Sequence, residues 1–211
     1  MSLPVRSPPF AAADEGSDPV AGVLLAAGTS SRFGDANKLL ADVAGDPVVR
    51  RAARTLIESR VDPVVVVVGH EADRVRAALS GLDVTVVANP DYADGQATSV
   101  RAGIRAVSEA GADAAVVALG DMPFVRPRSV ELLVAAYRAD AGDPLAAAYR
   151  GERGNPVLFG ARHFDALRAV DGDVGGRRLV RESGGSALVE TDDPGVRRDV
   201  DEPTDLPRSE E

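Results

Sequence analysis

Residues 20–40 read VAGVLLAAGTSSRFGDANKLL. The stretch from Val20 to Ala26 is an apolar run of strand length, and a loop of Gly28, Thr29, Ser30 and Ser31 follows almost at once. In an open α/β sheet, ligands bind beyond the carboxyl ends of the strands, so a Gly/Ser/Thr loop in this place is positioned for phosphate groups. Gly28 and Gly34 permit a tight backbone, the loop amides and serine hydroxyls can donate to anionic oxygens, and Arg32 and Lys38 add positive charge. Two common phosphate loops are excluded. Gly34 is followed by Asp35 where GxxxxGK[ST] requires lysine, and GxGxxG fails because Gly28 and Gly34 are the only glycines between Leu25 and Lys38.

Lys38 is the single lysine among 24 lysines and arginines. In a chain that otherwise uses arginine for its basic positions, a compact ammonium kept in the one loop shaped for phosphate supports a contact that a planar guanidinium would not reproduce.

Outward from this loop, short apolar runs recur at Val64–Val68, Val84–Ala88, Ala114–Leu119 and Leu145–Tyr149. Most are apolar on both faces, which is how buried parallel strands read. Between them, Pro47–Ser59, Ala72–Leu79, Ser99–Glu109 and Arg128–Ala139 carry apolar residues at helical spacing with arginines on the other face. Strand and helix therefore alternate, and the expected fold is α/β: a three-layer sandwich around a mainly parallel, mixed sheet, of Rossmann-like type. Further on, Val157–Phe159 reads as a short strand, Arg162–Val170 and Gly175–Glu182 as helices, and Arg197–Asp201 as a late strand. Residues 1–19, with Pro4, Pro8, Pro9 and Pro19 and no apolar period, read as a disordered leader. A single domain then covers 20–206, and 207–211 form a tail.

The composition bounds the function. With 33 acidic against 24 basic residues and a net charge of −9, neither nucleic acid nor an anionic membrane is expected as the main partner. The absence of cysteine removes disulfides and thiolate chemistry, and His70 and His163 alone cannot make a zinc site. No window suits a membrane span and no signal-peptide pattern opens the chain, so a cytoplasmic protein is expected.

Two further motifs carry chemistry. Gly120–Pro123, GDMP, ends the strand Ala114–Leu119, which puts Asp121 at a strand's carboxyl edge beside the expected phosphates. A lone carboxylate plus substrate oxygens is a usual way to hold Mg²⁺. Asp199 and Asp201, two apart, would share a face if they lie on a strand and would offer a second metal contact. In NPDYADGQATSV, Asn89–Val100, Gln96 can meet a base edge and Ser99 can cap a helix. Gly69 lies at another strand's carboxyl edge.

The order LAAGxSxRFGxxNKLL, GDMP, GNPVLF (Gly154–Phe159), GDVGGRRLV (Gly172–Val180) and DVDEPTDL (Asp199–Leu206) resembles the molybdenum cofactor cytidylyltransferases. These fall within the molybdopterin-guanine-dinucleotide synthase-like NTP transferases, and the resemblance runs from about Val20 to Leu206. It implies transfer of CMP from CTP to molybdopterin with release of pyrophosphate, Mg²⁺ as cofactor, and a possible recipient molybdoenzyme as partner. It implies catalytic roles for Lys38, Arg32 and Asp121, and metal contacts from Asp121, Asp201 and Asp199. Nucleotide binding would fall to Leu25, Ala26, Ala27, Gly28, Thr29, Ser30, Lys38, Gly69, Gln96 and Ser99, and acceptor binding to Asn155, Asp173 and Arg177. Relatives that use GTP tend to carry a second glycine where this chain has Ala27, which favours CTP. Gly176 and Glu202 stand where the family often has alanine and threonine. The competing readings are a GTP-using or sugar-phosphate nucleotidyltransferase of the same fold, a nicotinamide-dependent oxidoreductase, which the missing GxGxxG opposes, and a non-catalytic nucleotide-binding regulator.

Overall fold

The computed structural model of the chain describes residues 3–10, 19–30, 33–34, 36–170 and 176–207. In chain order its strands are β1 (Val5–Arg6), β2 (Val20–Ala26), β3 (Asp42–Val43), β4 (Asp46–Pro47), β5 (Val64–Val68), β6 (Thr85–Ala88), β7 (Ala114–Leu119), β8 (Leu145–Tyr149), β9 (Glu152–Gly160) and β10 (Ala187–Glu190). The helices are α1 (Val48–Glu58), α2 (Ala72–Ala78), α3 (Gln96–Glu109), α4 (Pro127–Arg138), α5 (Phe164–Arg168) and α6 (Arg177–Glu182).

β2 and β5 are buried at every position. Their β-branched and small apolar side chains alternate between two cores, which suits a strand covered on both faces. Val20, Leu24, Val64 and Val66 face α1, α2 and α4, while Ala21, Val23, Val65 and Val67 face α3, α5 and α6. The result is the expected three-layer α/β sandwich. Among the described residues the main sheet has eight strands in the order β1-β10-β8-β9-β7-β2-β5-β6. Only β9 runs antiparallel, between β7 and β8. α1 presents Val48, Val49, Ala52, Ala53 and Leu56 to the core, with Arg50 and Arg54 on its other side. Gly103 brings α3 close to β2, since a Cβ there would lie 2.4 Å from a methyl of Val23.

Several elements depart from the sequence expectation, among them the antiparallel pair β3 and β4, which has no counterpart in it. Residues 3–10 do not behave as a disordered leader: Val5 and Arg6 pair in parallel with Leu188 and Val189 at the sheet edge, and Pro4 O accepts the Leu188 amide at 2.8 Å. Leu3 and Phe10 pack against the two cores. An edge strand this short is held by main-chain bonds, so it needs no side-chain period to reveal it. Residues 11–18 and 208–211 of the expected leader and tail lie outside the described residues. β10 has no counterpart in the sequence expectation, because its four residues are too few to show a period. β9 is nine residues long rather than three, since ladder bonds to β8 extend it through polar positions. The expected strand Arg197–Asp201 is absent: Pro194–Arg197 form a 3₁₀ turn and the Val200 amide donates to Asp121 O at 2.8 Å.

Candidate active site

From β2 the chain passes through α1 to β5 and through α2 to β6, then crosses back through α3 to β7 on the other side of β2. The strand order reverses between β2 and β7, and the loops leaving their carboxyl ends diverge there. A cleft of about 350 Å³ opens at this point, floored by Leu25–Ser30 after β2 and by Leu119 and Asp121 at the end of β7.

The loop after β2 is held by its own side chains. Ser30 is buried at φ 56°, its hydroxyl donates to Asn37 Oδ1 at 3.3 Å, and it accepts the Lys38 amide at 3.2 Å. Asn37 Oδ1 also accepts the Leu39 amide at 3.0 Å, capping the 3₁₀ turn Lys38–Leu40. Leu39 is buried beneath this turn, so the Lys38 side chain projects from an anchored base. Asn37 is absent from the site residues that the sequence points to, although an Asn two positions before the apolar pair Leu39 and Leu40 is a capping signal.

Lys38 Nζ bonds Asp121 Oδ2 at 2.7 Å and Asp201 Oδ1 at 2.8 Å, with all three side chains largely buried. Burial alone would lower the pKa of the ammonium, but the two carboxylates, Asp121 the stronger, outweigh it and hold Lys38 above its ordinary value. Asp201 reaches this place because Val200 is pinned to the Asp121 carbonyl and because Asp205 Oδ2 accepts the amides of Asp201 and Glu202 at 2.9 and 2.7 Å. Those two bonds keep the Asp205 carboxyl below the usual range. Asp205 is thus a supporting residue inside the DVDEPTDL motif, one that sequence pattern does not distinguish from its acidic neighbours. Asp199, by contrast, is exposed and does not line the cleft, because without a strand the alternation that would have turned it inward does not apply.

Asp121 Oδ1 is buried with no hydrogen-bond partner among the described residues. A buried carboxylate oxygen without a donor is costly and suits a cation brought by a ligand. Among the described residues no cluster of three or more metal-ligating side chains forms. The donor set is therefore two carboxylates, which fits Mg²⁺ that takes its remaining oxygens from substrate and water.

On the opposite wall stand Tyr92, Gly95, Gln96 and Ser99. α3 begins at Gln96 rather than Ser99, so Ser99 does not cap the helix; its hydroxyl instead accepts the Asn89 side-chain amide at 3.0 Å. Gly69 does not line the cleft. A Cβ there would lie 2.5 Å from Tyr92 and 2.8 Å from the Ala27 methyl, so its role is to let Tyr92 close on Ala27. Every other residue expected to bind nucleotide, from Leu25 to Ser30 with Lys38, Gln96 and Ser99, does line it.

Asn155 and Arg177 line a second, smaller cavity that shares Leu25, Gln96 and Leu119 with the first. The two cavities are thus neighbours, one on the loop side of β2 and β7 and one beneath α6 and β9. Arg32 and Asp173 lie outside the described residues.

Comparison with known proteins agrees with this arrangement. The purine catabolism protein PucB of Bacillus subtilis is 31% identical over 196 residues, 86% of this chain and 91% of that protein. A probable molybdenum cofactor guanylyltransferase of Natronomonas pharaonis is 39% identical over 123 residues, which is 58% of each chain. The crystal structure of Rv0371c from Mycobacterium tuberculosis in complex with manganese superposes with a TM-score of 0.69 at 29% identity, covering 89% of this chain and 95% of that one. The MobA-like NTP transferase domain matches residues 22–188, which span both β2 with its loop and the carboxyl ends that build the cleft, so the chain belongs to that family and is an enzyme, a nucleotidyltransferase.

Proposed function

We propose that the protein transfers CMP from CTP to the phosphate of molybdopterin, releasing pyrophosphate, with Mg²⁺ held by Asp121 and Asp201. The observation that carries this reading is the pair of carboxylates bridged by Lys38 at the sheet's reversal point, with Asp121 Oδ1 left open. An acceptor phosphate is already anionic at neutral pH, so no general base is required. One of its oxygens attacks the α-phosphorus of the nucleotide; that O–P bond forms while the bond from the α-phosphorus to the bridging oxygen breaks, and pyrophosphate leaves with the electron pair. Bound Mg²⁺ would neutralise charge on the triphosphate. Lys38, Arg32 and the amides of Gly28–Ser30 do the same on the protein's side, and positioning supplies most of the remaining rate.

Ala27 supports CTP. It is buried with Tyr92 closed on it over Gly69, so its methyl narrows the room for a purine at the strand-end backbone. The name of the Natronomonas pharaonis relative favours GTP instead. Pyrophosphate release measured with CTP, GTP, ATP and UTP against purified molybdopterin, and in parallel against a sugar phosphate, decides between them. CTP-dependent release that requires Mg²⁺ is the expected result. Preference for GTP would replace the base assignment, and release only with a sugar phosphate would replace the acceptor.

A further inference from the structure

Side chains on one face of β9 follow the strand's period of two, and Arg153, Asn155, Val157 and Phe159 all turn into the smaller cavity beside the nucleotide cleft. Its inner end is apolar, while Arg153 from β9 and Arg177 from α6 stand at its polar side. Arg181 lies one turn after Arg177 on the same side of α6. None of these three guanidiniums makes an ion pair or side-chain hydrogen bond among the described residues. The one acid of α6, Glu182, pairs with Arg178 at 2.9 Å instead. Arg153 is half-buried, and burial together with the nearby charges of Arg177 and Arg181 lowers its pKa from the ordinary arginine value. A desolvated cation facing two like charges is unfavourable unless an anion completes the group. Guanidinium forks, planar and rich in donors, suit the several oxygens of a phosphate.

We propose that Arg153, with Arg177 and Arg181 at its rim, is the receptor for a phosphate monoester, namely the nucleophilic phosphate of the acceptor. This assignment rests on the nucleotidyltransfer reading above and adds the residues that would read the acceptor. The cluster lowers the electrostatic cost of bringing an anionic nucleophile up to an anionic triphosphate. It also selects phosphorylated acceptors over neutral hydroxyl compounds, which would leave the half-buried Arg153 without an anion.

Binding of methyl phosphate, in the presence of Mg²⁺ and a non-hydrolysable α,β-methylene CTP, tests this by calorimetry on the full chain at neutral pH. Arg153→Gln should weaken methyl phosphate roughly tenfold or more, and Arg177→Gln and Arg181→Gln by roughly threefold each. The affinity for the CTP analogue should stay within about twofold in all three. Should Arg153→Gln fail to fold by circular dichroism, the double variant at the exposed Arg177 and Arg181 decides the matter, with an expected loss of roughly tenfold. Wild type that does not bind methyl phosphate, or variants that bind it equally well, would overturn the proposal. Failure of the nucleotidyltransfer reading looks different: wild type would not bind the CTP analogue, and the methyl phosphate response alone would then judge the arginine cluster.

Discussion

The two cavities at the carboxyl ends of the sheet treat charge in opposite ways. In the larger one, two carboxylates and one ammonium are bonded to one another at 2.7 and 2.8 Å, and the backbone beneath them is secured by Ser30, Asn37 and Asp205. In the smaller one, Arg153 and Arg177 line the wall, Arg181 follows Arg177 one turn on, and none of the three makes an ion pair among the described residues. A self-satisfied cluster keeps its groups in place before any ligand arrives, and the ligand must then separate the ammonium from the carboxylates. An unsatisfied cluster gains most when its ligand binds. The difference teaches that the larger cavity is organised in advance, whereas the smaller one, on the assignment proposed above, gains most when an anion joins it.

The strongest way to break the first cluster is Lys38→Ala, which leaves Asp121 and Asp201 facing each other without a cation. Steady-state pyrophosphate release should fall about 10²–10³-fold in kcat, the scale of losing one preorganised donor. Lys38→Arg keeps the charge but places it on a longer planar group, and kcat should drop roughly tenfold or more. An arginine variant with full kcat would remove Lys38 from the catalytic set.

A smaller effect separates the three acids. Asp121→Asn should raise the Mg²⁺ concentration for half-maximal activity by roughly tenfold or more, with Asp201→Asn shifting it in the same direction. Asp199→Asn, at an exposed position away from the cleft, should move it less than about twofold. Equal shifts at Asp199 and Asp121 would return Asp199 to the site.

Truncation of residues 1–10 probes the sheet edge at β1, outside both cavities. It removes β1 and the contacts of Leu3 and Phe10, so thermal unfolding should come a few degrees earlier, about 1 kcal/mol for a chain of this size, with nucleotide affinity retained. An unchanged melting temperature would show that the edge strand contributes nothing.

The smallest effect is the sharpest on the comparison itself. Without ligand, Arg153→Gln relieves repulsion from Arg177 and Arg181, so the melting temperature should stay the same or rise by about a degree or two. A Lys38→Ala melting curve taken alongside should move down, because there a favourable pairing is lost. A fall of similar size in both would mean that Arg153 has a partner after all.

Much of this molecule is legible without its structure. β2, β5, β7 and β8 have the residue bounds their apolar runs suggest, because strands buried on both faces leave an uninterrupted apolar signature. Adjacency alone places the loop after β2 and Asp121 after β7 at the cleft, since a residue that follows a central strand must emerge at its carboxyl end. Hidden from the sequence is whatever depends on main-chain pairing or on contacts distant in the chain: β1 at the sheet edge and β10 beside it, the bond from Val200 to Asp121 that replaces a strand, and the outward position of Asp199. Period-two reasoning joins Asp199 to Asp201 only on the assumption of a strand.

The sequence by itself determined the layered α/β fold and which loops follow the carboxyl ends of its buried strands, because local apolar pattern and chain adjacency are enough to specify both. Tertiary structure alone decided which charges meet. Lys38, Asp121 and Asp201 are separated by 83 and 163 positions from lysine to each acid, and Arg153 lies on a strand while Arg177 and Arg181 lie on a helix. Coulomb energy depends on distance and burial rather than on order along the chain, so pairing on one side of the site and its lack on the other appear only once the sheet has brought those residues together.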